Sequence, residues 1–164
     1  MLGTPKMRSK LTTAILAVHP HNWSISGIGD STIQGFAAAI SVNVRQTINF
    51  KVKTSATNYR IAIYRIGYYQ GNGARLITSF QPSAPLPQNQ PACVIDPSVN
   101  LVDCGSWAIS ASWTVPSTAT SGIYFALLTR ADNGGRSQIH FIVRNDSSHS
   151  AILFSNSRRN LACL

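Results

Sequence analysis

The sequence contains no glutamate, and only 12% of its 164 residues carry a charge. That share is about half of what is usual in soluble domains. Helices draw on Glu and Lys for their solvent-facing sides, so this composition disfavours a helical protein and favours a β-rich one. The carboxylates that remain for acid–base chemistry are five aspartates: Asp30, Asp96, Asp103, Asp132 and Asp146.

Several signatures of catalytic and metal sites are missing. There is no Cys-x-x-Cys pair and no histidine close to a cysteine in the sequence, so a zinc site is not expected. No G-x-S-x-G motif supports a Ser-His-Asp set built from His140, Asp103 and one of the serines. No apolar run is long enough to span a membrane. We therefore expect no catalytic, cofactor-binding or metal-binding residue in this chain.

The net charge of +9 raises the question of nucleic-acid binding. Five of the basic residues lie near the two ends of the chain: Lys6, Arg8, Lys10, Arg158 and Arg159. Between them, nine basic residues are scattered among the five aspartates, which leaves a charge of +4. No basic stripe or recognition helix is formed, and the distribution argues against a nucleic-acid partner.

The first 21 residues have the look of a leader. Basic residues precede a short apolar run, Leu11–Val18, but this run is short for an export signal and no clear cleavage site follows it. A degraded export signal and a frayed N-terminus are both compatible with the pattern.

Alternation of apolar and polar residues recurs through residues 22–146 and predicts strands. Turn residues such as Asn72-Gly73 and the segment Ala131–Gly135 separate the alternating stretches, and the latter indicates a hairpin. About seven short antiparallel strands predict an all-β, immunoglobulin-like sandwich of two sheets. The expected strands are Ile33–Val44, Thr47–Thr54, Asn58–Ile66, Leu76–Phe80, Trp107–Val115, Ile123–Leu127 and Ile139–Val143.

A proline-rich insert, Gln81–Gly105, interrupts this pattern. Cys93 and Cys104 lie within it, with ten residues between them. A disulfide that closed this loop would contribute roughly 2–3 kcal/mol. Two free thiols are the alternative, and Cys163 has no obvious partner.

The most distinctive run is Gly67–Arg75, which reads GYYQGNGAR. It cannot be a phosphate-binding loop because strands flank it on both sides and no helix follows. The glycines indicate a turn with positive φ angles. Tyr68, Tyr69 and Arg75 are candidates for contact with a sugar ring or a neighbouring domain, and strand-end packing is the alternative reading.

Other aromatic residues favour structural roles. Trp107 and Trp113 fall on one face with Ile109, which favours the core over a surface platform. His140 falls on an outward face of its strand. The stretch before Tyr124 suits a tyrosine corner, in which the hydroxyl bonds back to the preceding backbone.

Taken together in order, these segments resemble bacterial proteins similar to the large (β) subunit of N,N-dimethylformamidase. The resemblance covers about residues 22–154 and rests on Ile33–Phe36, Ile40–Val42, Tyr59–Arg75, Pro91–Cys93, Cys104–Trp107, Ser112–Pro116, Ser121–Tyr124 and Phe141–Asp146. It implies a β-sandwich that precedes a larger α/β domain, and that larger domain carries the amide hydrolase chemistry and an iron site.

The resemblance ends after Ala151–Phe154, where the family continues into the larger domain. Residues 147–164 are expected to be the start of a linker followed by a frameshifted tail. The expected function is that of a non-catalytic accessory domain, whose partner is the neighbouring hydrolase-like domain and whose location is extracellular or periplasmic. A stand-alone module that binds polysaccharide or another surface is the alternative.

Overall fold

The alternating segments form the strands of two packed β-sheets in the computed structural model, which describes residues 22–149. The predicted leader (1–21) and most of the predicted linker and tail (150–164) lie outside the described residues. The strands are β1 Ile33–Ala37, β2 Ser41–Asn43, β3 Thr47–Thr54, β4 Tyr59–Ile66, β5 Ala74–Phe80, β6 Val94–Asp96, β7 Leu101–Asp103, β8 Ala111–Thr114, β9 Gly122–Arg130 and β10 Arg136–Arg144.

One sheet has the order β1-β3-β8 and the other the order β2-β10-β9-β4-β5. Neighbouring strands are antiparallel, except that β2 pairs with β10 in parallel. Strands β6 and β7 form a separate two-stranded hairpin inside the predicted insert. The all-β, immunoglobulin-like sandwich is confirmed, with eight strands in its two sheets.

The extra strand arises because Ile33–Val44, predicted as one strand, divides between the sheets. Its first part, β1, pairs with β3, and its second part, β2, pairs with β10. Ala38–Ile40 connects them, and Ile40 is exposed at the crossing. An apolar run that changes sheets keeps the same alternation, so the sequence pattern could not reveal the break.

The predicted strand Trp107–Val115 is also shorter in the structure, because β8 begins only at Ala111. Ser110 is fully buried, and its hydroxyl accepts a hydrogen bond from the Val52 amide at 2.8 Å. This shifts the alternation by one residue and leaves Ile109 half exposed. The prediction that Ile109 shares the buried face of Trp113 is therefore wrong.

The inner faces of the two sheets form the core, which includes edge-to-face contact between Phe50 and Phe141. Trp113 packs here, as predicted, against Phe141 and Tyr124. The Tyr124 hydroxyl donates to the Thr120 carbonyl at 2.6 Å, which is the predicted tyrosine corner.

The five-stranded sheet also buries apolar residues on its outer face. Tyr64, Ala74, Phe125 and Leu127 form this second cluster, which we call the outer cluster. Residues of the N-terminal segment, among them Trp23, pack against it. A register shift in β4 between Ile63 and Tyr64 accompanies the arrangement. Burial on both faces makes Tyr124–Leu128 a continuous buried run.

Candidate functional site

The run Gly67–Arg75 forms the tight turn between β4 and β5 together with the first two residues of β5, Ala74 and Arg75. Gly71 and Gly73 have φ angles of 88° and 74°, as expected for a turn that needs glycine. Tyr69 and Gln70 also adopt positive φ, at 38° and 59°, which the sequence did not indicate. A short 3-10 turn, Tyr69–Gly71, forms within the run.

Tyr69 in the turn contacts Arg75 at the start of β5. The Arg75 guanidinium lies 5.3 Å from the centre of the Tyr69 ring. The Tyr69 hydroxyl accepts a hydrogen bond of 2.6 Å from Arg65, which also donates to the Ser121 carbonyl at 3.0 Å. Arg65 thereby ties the turn to the segment before the tyrosine corner, a role that sequence reasoning missed.

Tyr68 points away from this arrangement. It is 82% exposed, the highest value for any aromatic residue among the exposed large hydrophobic side chains of residues 22–149. Of the three candidate contact residues, Tyr68 presents its ring to solvent, whereas Tyr69 and Arg75 are partly buried.

Cys93 and Cys104 form a disulfide, which confirms the pairing considered from the sequence. The disulfide closes the base of the β6–β7 hairpin. Just outside it, Trp107 is buried against Phe36 on the outward side of the three-stranded sheet, and its indole donates to the Pro91 carbonyl at 3.0 Å. Trp107 thus holds the insert to the sheet and lies outside the main core cluster.

A second clamp fixes the same base. The Gln90 side-chain amide donates to the carbonyls of Val52 and Ala108, each at 3.0 Å, and its oxygen accepts from the Ala108 amide at 2.9 Å. The Lys51 ammonium donates to the Gly105 carbonyl at 2.7 Å. The hairpin therefore has a stem that is bonded to the sandwich on both sides of the disulfide.

The far part of the hairpin is apolar and exposed. Its large aliphatic side chains are between 46% and 68% exposed. They account for five of the eleven exposed large hydrophobic residues in the described part of the chain: Val94, Ile95, Val99, Leu101 and Val102.

The register of the hairpin gives its two faces different chemistry. Val94 lies opposite Asp103 and Asp96 lies opposite Leu101, so these four side chains share one face, which we call the acidic face. Ile95 and Val102 lie opposite each other on the other face, which we call the aliphatic face.

A cavity of about 410 Å³ opens on the outer face of the five-stranded sheet. Its floor contains residues of the outer cluster and their neighbours: Ala62, Tyr64, Leu76 and Leu127. Its rim is polar and includes Asn58, Arg60, Gln81, Thr129 and Arg130, and no acidic side chain lines it in the described structure.

The aspartates near the ends of the last hairpin are held by arginines. Asp132 accepts hydrogen bonds from Arg130 at 2.6 and 2.9 Å, and Asp146 accepts from Arg144 at 2.8 Å. The hydrogen bonds from Arg130 lower the pKa of Asp132 to about 2. The two carboxylates lie at opposite ends of the hairpin, so they cannot act as a catalytic pair.

Within residues 22–149, no three His, Cys, Asp or Glu side chains come together as metal ligands would. The iron site that the resemblance assigns to a larger domain has no counterpart in that part of the chain. His140 is exposed on β10 and lies against the Phe125 ring at 5.8 Å. No helix in the described region has the length and apolar character of a membrane span.

One family model matches the part of the chain that contains the hairpin, the turn Gly67–Arg75 and four strands of the five-stranded sheet. Residues 60–159 match the model of a family described as "N,N-dimethylformamidase beta subunit-like, C-terminal". The chain belongs to this family. The match begins in β4 and includes every strand after it. No curated protein matches the chain.

Membership of the dimethylformamidase β-subunit-like family confirms the resemblance seen in the sequence motifs. The family description refers to a C-terminal region, whereas the resemblance placed the sandwich before a larger domain. The order of domains in the parent protein therefore stays a prediction. Family membership also implies a partner subunit in the parent assembly.

Proposed function

We propose that this chain is a non-catalytic interaction domain of a dimethylformamidase β-subunit-like protein. Its role is to dock onto a hydrolase-like domain or subunit of the parent assembly. The observation that carries this proposal is the disulfide-closed hairpin, which presents five exposed aliphatic side chains on a stem fixed to the sandwich.

An exposed apolar patch on a rigid support marks an interaction surface. Free loops lose conformational entropy when they bind, and a fixed stem reduces that cost. The disulfide and the clamps from Gln90 and Trp107 supply the fixed stem. An apolar centre with polar groups at its edge is also the arrangement found in protein interfaces.

The test is binding of this chain to the purified hydrolase-like region of a family member, measured by calorimetry. We expect the double variant Ile95→Ser with Leu101→Ser, which alters one residue on each hairpin face, to weaken binding at least about tenfold. The matched control is Tyr68→Ala, which removes an even more exposed side chain away from the hairpin and should bind as wild type does.

Binding by the hairpin variant that equals wild-type binding would refute docking through this hairpin.

The proposal that the chain is non-catalytic has a separate test. Hydrolysis of dimethylformamide by the purified, iron-loaded chain would show that the chain is an enzyme in its own right. We expect no turnover above that of a buffer containing the same iron.

A second candidate function is binding of a polysaccharide through the turn Gly67–Arg75, which the exposure of Tyr68 favours. Aromatic rings stack on sugar faces when they are exposed. The test is a polysaccharide pull-down with Tyr68→Ala. Retention that does not fall in this variant would exclude the turn. Tyr69 is left intact because it holds Arg65 and Arg75.

We also propose that the parent protein is exported to the periplasm or the extracellular space. A disulfide in a stable loop is typical of oxidising compartments. The test is fractionation of the source cells with an antibody against the sandwich. A signal confined to the cytoplasm would contradict export.

A further inference from the structure

The outer face of the five-stranded sheet combines an apolar surface with a nearby positive charge. The cavity there has an apolar floor, and its rim carries the exposed Arg60 together with amides and a hydroxyl. Arg130 also lines the rim, but its side chain is buried and forms an ion pair with Asp132. Burial raises the pKa of Tyr64 in the floor, and the positive charges of Arg60 and Arg136 act in the opposite direction. Because the Arg130 charge is paired with Asp132, Arg60 is the positive group beside an apolar floor that no carboxylate lines in the described structure.

The acidic face of the hairpin has complementary chemistry. It presents two aliphatic side chains, Val94 and Leu101, beside the carboxylates of Asp96 and Asp103. The chain has no lysine or arginine between Arg75 and Arg130, so the hairpin is the acidic part of a basic molecule. Both carboxylates are exposed and keep acceptor positions beyond their local hydrogen bonds to Ser98 and Gly105.

The two surfaces lie on opposite sides of one molecule. The hairpin stem packs on the outward side of the three-stranded sheet, through Phe36 and Lys51. The cavity opens on the outward side of the five-stranded sheet, over β4 and β9. A hairpin therefore cannot enter the cavity of its own copy, but it can reach that of another.

We propose that the acidic face of the hairpin of one copy docks into the outer-sheet cavity of a second copy. Val94 and Leu101 then cover the apolar floor, and the carboxylates of Asp96 and Asp103 meet the Arg60 guanidinium on the rim. Such contact joins two different surfaces, so copies associate head to tail into chains or rings. The contact is small and its strength is that of a transient association.

The test uses sedimentation velocity of the full chain at micromolar to millimolar concentrations. A hairpin variant carries Val94→Ser with Leu101→Ser, and a cavity variant carries Arg60→Glu. We expect each variant to raise the dissociation constant of self-association at least about tenfold. The matched control, Ile95→Ser with Val102→Ser on the aliphatic face, should associate as wild type does.

An equimolar mixture of the hairpin variant and the cavity variant gives the decisive result. The cavity variant keeps an intact hairpin and the hairpin variant keeps an intact cavity, so the mixture should form dimers that go no further. Circular dichroism checks that each variant is folded. The proposal is overturned if wild type stays monomeric throughout, if the hairpin variant associates as wild type, or if the mixture stays monomeric.

These outcomes are distinct from those of the proposed function, which concerns a different partner. A monomeric chain that still binds the hydrolase-like region overturns head-to-tail association alone. A chain that associates with itself but does not bind that region overturns the proposed function alone. Competition between the two partners would show that they share the hairpin.

Discussion

At the residue scale, the tyrosine corner shows how one hydroxyl stabilises a connection between sheets. Tyr124 is buried and donates to the Thr120 carbonyl at 2.6 Å. We expect Tyr124→Phe to lower the free energy of unfolding by about 1 kcal/mol, because the hydrogen bond is lost while the ring still packs. Urea denaturation measures the change.

The matched control is Tyr68→Phe, which removes a hydroxyl from an exposed ring. It should leave the free energy of unfolding unchanged. An equal loss in both variants would mean that the corner contributes nothing specific to this position.

The pair formed by Arg130 and Asp132 makes stability depend on pH. Hydrogen bonds from Arg130 lower the pKa of Asp132 to about 2, below its ordinary value of 3.8. The folded protein therefore favours the ionised carboxylate, and this stabilisation is present above about pH 4 and is lost as the pH falls through 2. We expect Asp132→Asn to remove this part of the fall in unfolding free energy at low pH.

The measurement is the free energy of unfolding of wild type and Asp132→Asn at a series of pH values. The difference between the two proteins should be largest near neutral pH and should shrink below pH 4. A difference that stayed constant down to pH 2 would contradict the assignment.

At the element scale, the turn between β4 and β5 depends on its glycines to different degrees. Gly73 and Gly71 both have positive φ, but a Cβ on Gly73 would lie 2.9 Å from the Trp23 ring, whereas one on Gly71 would meet nothing within 4 Å. We expect Gly71→Ala to cost about 1 kcal/mol and Gly73→Ala clearly more. Equal costs, measured by thermal unfolding, would show that Trp23 moves aside freely.

The disulfide between Cys93 and Cys104 stabilises a second element, the β6–β7 hairpin. We expect the double variant Cys93→Ala with Cys104→Ala to lose about 2–3 kcal/mol of unfolding free energy while the sandwich keeps its fold. Wild type and variant are compared in a Cys163→Ser background, so that thiol exchange cannot confuse the result. Loss of all β-sheet circular dichroism would show instead that the sandwich needs the disulfide to fold.

Several elements could be predicted from the sequence because their signals are local. Strict alternation identified β3 and β4, and the spacing of Cys93 and Cys104 suggested their disulfide. The division of Ile33–Val44 was missed because a change of sheet preserves alternation. The start of β8 was missed because Ser110 is buried through hydrogen bonds to another strand.

The exposure of individual surface residues was harder to predict from the sequence, for a related reason. Tyr68, Tyr69 and Arg75 were grouped by their proximity in sequence, but the structure turns Tyr68 outward and engages the other two. The exposed hairpin was read as part of an irregular insert. Its apolar residues resemble a buried strand in sequence, and their exposure depends on what the rest of the fold leaves uncovered.

At the scale of the whole molecule, the five-stranded sheet is unusual in carrying apolar clusters on both faces. The core and the outer cluster share strands β4 and β9. If the side chains on one face of β4 or β9 lose their packing, the strand itself moves. The side chains on its other face then lose their packing as well. The two clusters should therefore unfold together as one cooperative unit.

The variant Leu127→Ala in the outer cluster tests this coupling. Leu127 is 3% exposed, so its truncation should cost about 2–4 kcal/mol, as a change in a main core does. Because unfolding is shared, the urea midpoint should fall while the slope of free energy against urea stays the same. A reduced slope, or a second transition at low urea, would show that the outer cluster opens separately and that the cavity it lines is not a fixed surface.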